Sequence, residues 1–78
     1  MNTIDLEKVG SNIKRLIKEK YQTRSKFAEA CLDNYLLYGD LDSATVSVNR
    51  WVKDGISSFS LLCDVAKLLD KDVMTILF

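Results

Sequence analysis

The chain has 78 residues, of which 47% are apolar, and it contains no proline and three glycines. This length predicts a single domain, residues 1–78, near the lower limit for a self-sufficient hydrophobic core, and the composition favours helices. The absence of histidine removes the usual general base and the commonest zinc ligand. The net charge is zero, which argues against indiscriminate binding to polyanions.

Charge is nevertheless segregated along the chain. Residues 1–31 hold seven Lys or Arg and four Asp or Glu, which gives a net charge of +3. Residues 32–42 hold three Asp and no basic residue, which gives −3. Positive charge is therefore concentrated in residues 1–31 of the chain.

The sequence also indicates a compartment. No apolar run is long enough to span a bilayer, and the first residues lack signal-peptide character, so we expect a cytoplasmic protein that does not enter a membrane. Cys31 and Cys63 each lie in an apolar helical pattern, which indicates buried reduced thiols rather than a disulfide or a metal site. No motif indicates a cofactor or a small-molecule ligand.

The first predicted helix runs from about Asp5 to Lys20. Apolar residues at helical spacing form its inward stripe: Leu6, Val9, Ile13, Leu16 and Ile17. Basic residues occupy its outer side: Lys8, Lys14, Arg15, Lys18 and Lys20. Gly10 costs about 1 kcal/mol relative to alanine in a helix interior, or else it allows the close approach of a neighbour.

The second predicted helix begins after the N-cap Thr23, has Arg24 as its first residue and runs to about Leu37. A short loop, Gly39–Asp42, follows. The alternative is a helix that ends at Leu32 and a loop of about ten residues, which is less usual in a compact domain. The apolar residues of the segment Leu36–Leu41 either cover the core or form a dimer surface.

The third predicted helix lies between Ser43 and Gly55, with Asp42 or Ser43 as its N-cap and Gly55 just past its end. Its apolar stripe is Val48, Trp51 and Val52. The opposite side carries hydrogen-bond donors and positive charge: Thr45, Val46, Asn49, Arg50 and Lys53. Such a helix either presents this side to a phosphate-rich surface or is simply a solvated surface helix.

The fourth predicted helix starts after Ser57 or Ser58, and its inward stripe is Phe59, Leu62, Val65, Ala66 and Leu69. Asp72 caps a last short helix, Val73–Leu77. The apolar C-terminus, Ile76–Phe78, packs on the core or joins two subunits.

Four segments follow one another in a recognisable order: VGSNIKRLIKEKYQT, TRSKFAEA, VSVNRWVKDG and SFSLLCDVAKLLDKDVMTILF. Together they resemble the Cro/repressor-type (XRE-like, lambda-repressor-like) helix-turn-helix domains of bacteria and temperate phages. The resemblance implies an all-α fold of about five helices with a lengthened segment between the second and third. From Ala28 to Val48 the chain carries about ten more residues than the tight turn of the family. Arg24 stands where a glutamine is common, and Ser57 where a proline is.

In this family the third helix lies in the major groove and the second lies across the DNA backbone. Carried over by position, the resemblance implies that four residues face base edges: Thr45, Val46, Asn49 and Arg50. Asn49 suits adenine and Arg50 suits guanine. Arg24 is expected at a phosphate or a guanine, and Lys53, with Lys14 and Arg15, at phosphates.

Each assignment has a structural alternative. Val46 belongs to the core if Val46, Val48 and Val52 form one buried set. Asn49 is otherwise only an exposed helix residue. Arg50 can pair with Asp54 four residues later, which is worth a few tenths of a kcal/mol.

We therefore expect a sequence-specific regulator that binds double-stranded DNA, a repressor of a phage or mobile element, which reads two half-sites as a homodimer. The alternatives to a dimer are a monomer and one domain of a longer repressor. The alternative function is a protein-interaction module that keeps the fold but does not bind DNA, an anti-repressor or adaptor, favoured by the neutral net charge and the apolar segment LLYGDL. An enzyme is not expected, because no nucleophile–base pair, metal-spaced cysteine cluster or phosphate-binding glycine loop is present.

Overall fold

Five helices make up the computed structural model of the protein, which describes residues 5–78. They are α1 (Leu6–Lys20), α2 (Arg24–Asp33), α3 (Leu41–Asp54), α4 (Phe59–Leu69) and α5 (Val73–Leu77). The prediction of an all-α fold with about five helices is confirmed. Within residues 5–78, no helix combines the length and the apolar character that crossing a membrane requires.

Each helix begins at a side chain that accepts a hydrogen bond from the first turn. Thr23, Ser58 and Asp72 cap α2, α4 and α5, as the sequence predicts. The cap predicted for the third helix is wrong. Asp40 caps α3, and its carboxylate accepts the Ser43 N–H at 2.8 Å. The helix therefore starts two or three residues earlier than the sequence predicts.

The prediction of a long second helix is also wrong, because α2 ends at Asp33 and not at Leu37. Residues 34–40 form the connection to α3, which we call the 34–40 connection. The alternative of a short second helix lies closer to the structure. Tyr35 stops the helix, since its φ of 62° lies in the left-handed region that non-glycine residues rarely adopt.

The end of α2 has the hydrogen bonds of a Schellman motif. The Tyr35 N–H donates to the Leu32 carbonyl at 3.2 Å, and the Leu36 N–H donates to the Cys31 carbonyl at 2.9 Å. These bonds satisfy carbonyls that the helix end leaves free. Glycine usually occupies the left-handed position of this motif, and its place here is taken by a tyrosine. Because no glycine marks the end of α2, and because the apolar pattern of the sequence continues beyond Asp33, the predicted helix was too long.

The 34–40 connection divides its apolar residues between core and surface. Leu36 and Leu37 are half-buried and pack against the core. Tyr35 and Tyr38 are 76% and 78% exposed, and Leu41, at the start of α3, is 41% exposed.

The hydrophobic core lies between all five helices, with α3 packed on both α1 and α2, and α5 packed on α1 and α4. Its fully buried side chains include Val9, Ile13, Ile17, Phe27, Cys31, Val48, Leu62, Val65, Leu69 and Ile76. Two residues predicted to face inward do not. Leu6 is 39% and Phe59 is 56% exposed. Each is the first residue of its helix, where the side chain points back beyond the helix end. Cys63, predicted to be buried, is only half-buried.

Two glycines allow the backbones of α1 and α3 to touch. A Cβ atom at Gly10 would collide with the carbonyl oxygen of Val52 and lie 3.2 Å from that of Trp51. A Cβ atom at Gly55, whose φ is 78°, would collide with the carbonyl of Leu6. Since Leu6 meets Gly55 and Gly10 meets Val52, the two helices run antiparallel. The close approach that the sequence allowed at Gly10 is present.

The C-terminal helix is fastened to α1 through a buried amide. The Asn12 Nδ2 donates to the Ile76 carbonyl at 2.8 Å, and Asn12 is buried. At the other end of α1, the Tyr21 hydroxyl donates to the Leu68 carbonyl at 2.7 Å. Burial raises the pKa of Tyr21, so this hydroxyl stays protonated. At the C-terminus itself, Ile76 is fully buried whereas Phe78 is 71% exposed.

Candidate nucleic-acid interface

The candidate site is the outer side of α3 together with the start of α2. The inward face of α3 is formed by Ala44, Val48 and Trp51, all buried and spaced at helical intervals. This packing fixes the rotation of the helix about its axis. The predicted orientation of the third helix is confirmed for Val48 and Trp51, and Val52 is half-buried beside them.

The residues on the outer side of α3 are free of the core. Val46 is 57% exposed, which excludes the alternative that it is a core residue. Asn49, Arg50 and Lys53 are exposed. Val46 and Asn49 are three residues apart, and Asn49 and Lys53 are four apart, so these side chains lie along one side of the helix.

Thr45 is placed differently from its neighbours. It is half-buried, and its hydroxyl donates to the carbonyl of Leu41 at 2.8 Å. The hydroxyl hydrogen is therefore committed within the helix, and the oxygen remains as an acceptor. In this conformation Thr45 can accept a hydrogen bond from a base but does not donate one.

The first residue of α2 is joined to the outer side of α3. Thr23 caps α2 and so fixes the position of Arg24, which is half-buried. The Arg24 Nη1 donates to the Asn49 Oδ1 at 3.0 Å. Two residues that the sequence assigned to the site separately, and that are 25 positions apart, are thus in contact.

A shallow basic depression of about 160 Å³ adjoins this contact. It lies between α1 and the start of α2 and is lined by Lys14, Ile17, Lys18, Gln22 and Arg24. The sequence predicts Lys14 as a phosphate contact, whereas it does not assign Lys18 or Gln22 to the site. Lys18 could have been predicted from its spacing, because it lies four residues after Lys14 on the same helix. Gln22 has a φ of 73°, and no feature of the sequence predicts its place in the turn.

The start of α3 is acidic. Asp40 and Asp42 lie at the first turn, beside the exposed Tyr38. Hydrogen bonding to Ser43 lowers the pKa of Asp40, which therefore stays ionised. An anion suits the positive end of the helix dipole. This charge would repel phosphates, so the part of α3 that suits DNA is the stretch from Thr45 to Lys53.

Within residues 5–78, no three His, Cys, Asp or Glu side chains lie close enough to hold a metal ion. Burial raises the pKa of the Cys31 thiol to about 12, so it is not a nucleophile in the folded protein. The arrangement at α2 and α3 offers hydrogen-bond donors and positive charge.

Comparisons with protein-family models, with curated proteins and with solved structures find no significant match to this chain.

Proposed function

We propose that the protein is a sequence-specific regulator that binds double-stranded DNA with α3 in the major groove, as Cro/repressor-type helix-turn-helix domains do. The observation that carries the proposal is the contact between Arg24 and Asn49. It places the start of α2 beside the exposed side of α3, so one surface offers both phosphate-binding and base-binding groups.

The lengthened connection does not separate these two helices. α3 packs on α2 as well as on α1, and residues 34–40 connect α2 to α3. The extra residues are absorbed by that connection and by the earlier start of α3. In this arrangement the remaining N–H groups of Arg24, together with Lys14 and Lys18, bind phosphates, while Asn49 and Arg50 contact bases in the groove.

A homodimer is part of the proposal. A single domain of this kind buries roughly 600–1,000 Å² on DNA, and the neutral net charge limits the electrostatic contribution. Two copies reading half-sites roughly 34–36 Å apart would supply the missing affinity. Two segments of the chain expose large apolar side chains for such a contact: Tyr35, Tyr38 and Leu41 between α2 and the start of α3, and Met74 and Phe78 at the C-terminus.

Selection of bound sequences from a random duplex DNA pool at low salt tests the proposal. We expect enrichment of a palindrome and an affinity that falls steeply as salt rises, because bound phosphates release counterions. Failure of the folded protein to enrich any sequence would refute it. A short asymmetric site would support DNA binding and refute the dimer.

Arg50→Ala tests the base-reading side of α3. Arg50 is exposed, so its removal should leave the melting temperature unchanged and weaken binding to the selected site about fivefold or more. Lys67→Ala is the matched control, since Lys67 is an exposed basic residue on α4. Equal affinity of both variants would remove Arg50 from the site.

The second candidate function is a protein-interaction module that has the same fold but does not bind DNA. The exposed Tyr35 and Tyr38, next to the acidic start of α3, favour it. Tyr38→Ala should then abolish partner binding, and the wild-type protein should enrich no sequence from the DNA pool. Binding through this apolar surface should also resist high salt, whereas DNA binding should not.

A further inference from the structure

The amide of Asn49 has a fixed polarity in this structure. The Arg24 guanidinium consists only of hydrogen-bond donors, so the Asn49 atom that faces it at 3.0 Å must be the amide oxygen. The amide nitrogen, with its two N–H groups, then points elsewhere. Asn49 is exposed on the outer side of α3, so these donors are available to a ligand.

Pairing with adenine requires both halves of the amide. The oxygen accepts from the adenine amino group while the nitrogen donates to N7. Here the oxygen is engaged by a cation, which opposes the approach of a second donor to its remaining lone pair. Guanine presents two acceptors, N7 and O6, at the same edge. An amide that offers only donors is complementary to guanine.

We propose that Arg24 holds Asn49 as a hydrogen-bond donor, so that the base read by Asn49 is guanine rather than adenine. This inference rests on the proposed DNA binding and adds the identity of the base. Arg24 is the positioning residue, and Asn49 is the residue that touches the base.

The surroundings of Arg24 favour its contact with Asn49. The cap at Thr23 fixes the backbone at the start of α2, and the half-buried arginine lines the basic depression. Lys14 and Lys18 line it too, and they repel the guanidinium and offer no acceptor. The Asn49 oxygen is within hydrogen-bond distance of Arg24 and can accept from it. Because Asn49 is uncharged, this bond leaves the positive charge of the depression unchanged.

Three selections on random duplex DNA test the inference. Asn49→Ala, compared with the wild type, identifies the base pair whose preference depends on Asn49. The wild type should prefer guanine there. Arg24→Met keeps the aliphatic part of the side chain but releases the amide, and should shift the preference to adenine by about tenfold. Lys26→Met, at an exposed position of α2, is the control and should leave guanine preferred.

Base analogues give an independent measurement. Replacing the identified guanine with 7-deazaguanine removes the N7 acceptor, and should weaken wild-type binding about tenfold but leave Asn49→Ala unaffected. Three outcomes would overturn the inference while DNA binding stands. The wild type could prefer adenine, Arg24→Met could still prefer guanine, or the preference at every base pair could be independent of Asn49. No enriched sequence at all would overturn both. Melting curves of the variants confirm that they are folded.

Discussion

Replacing Gly10 with alanine tests the close contact between α1 and α3. Glycine in a helix interior is less favourable than alanine, so propensity alone predicts that the change stabilises the protein by about 1 kcal/mol. The structure predicts the opposite sign. The new Cβ atom would collide with the Val52 carbonyl oxygen and press on that of Trp51. Both atoms belong to the backbone of α3 and cannot turn aside as a side chain can.

The magnitude follows from these two opposing effects. Forcing an extra carbon into a packed site costs about 1–3 kcal/mol, and the upper end applies where backbone must move. Subtracting the gain in propensity of about 1 kcal/mol leaves a net loss of about 2 kcal/mol. For a domain of this size that corresponds to a fall in melting temperature of roughly 8–16 °C.

Thermal unfolding followed by circular dichroism measures the effect. Ser11→Ala is the matched control, because Ser11 is the exposed neighbour of Gly10 on α1. The control should gain a few tenths of a kcal/mol from helix propensity alone. A Gly10→Ala protein that melts above the wild type would show that α1 and α3 do not touch there, and the placement of α3 would be wrong.

Three further predictions concern burial and charge. Trp51→Ala should lower the free energy of unfolding by about 3–5 kcal/mol in a urea titration, and a change near zero would contradict its core position. Hydrogen bonding to Ser43 depresses the pKa of Asp40, so its contribution to stability is present above the ordinary carboxyl pKa and is lost as pH falls through the folded-state pKa. Asp40→Asn should therefore lose less stability than the wild type in acid melts, and parallel losses would refute this. At about pH 8, native protein should be alkylated at the half-buried Cys63 and not at Cys31, as mass spectrometry would show; modification of Cys31 without unfolding would refute its burial.

Much of the fold was predictable because most of the helices carry their own signals. Thr23, Ser58 and Asp72 are good caps at the positions where helices begin. The end of α2 was not predictable, because a tyrosine takes the left-handed position that a glycine would have marked. The exposure of Phe59 was not predictable either. Periodicity shows on which face of a helix a residue lies, but it does not show how far along that face another helix packs.

The candidate site was predictable as a set of residues but not as a geometry. Helical spacing separates Val46, Asn49 and Arg50 from the buried stripe. The contact between Arg24 and Asn49 joins residues far apart in sequence, and it depends on how α3 packs across α2. Gln22 lies at the site because of the turn between α1 and α2, in which its φ is 73°, and the sequence did not predict this conformation.

The position of the one tryptophan gives the protein a built-in optical probe. Trp51 is on the core side of α3, whereas Arg50, the residue before it, is exposed. The fluorescence of Trp51 should therefore report whether α3 is packed on α1 and α2. A ligand that contacts only the outer side of α3 should leave this fluorescence unchanged. A spectral change on ligand addition would mean that α3 itself had shifted, so binding and rearrangement can be told apart without a label.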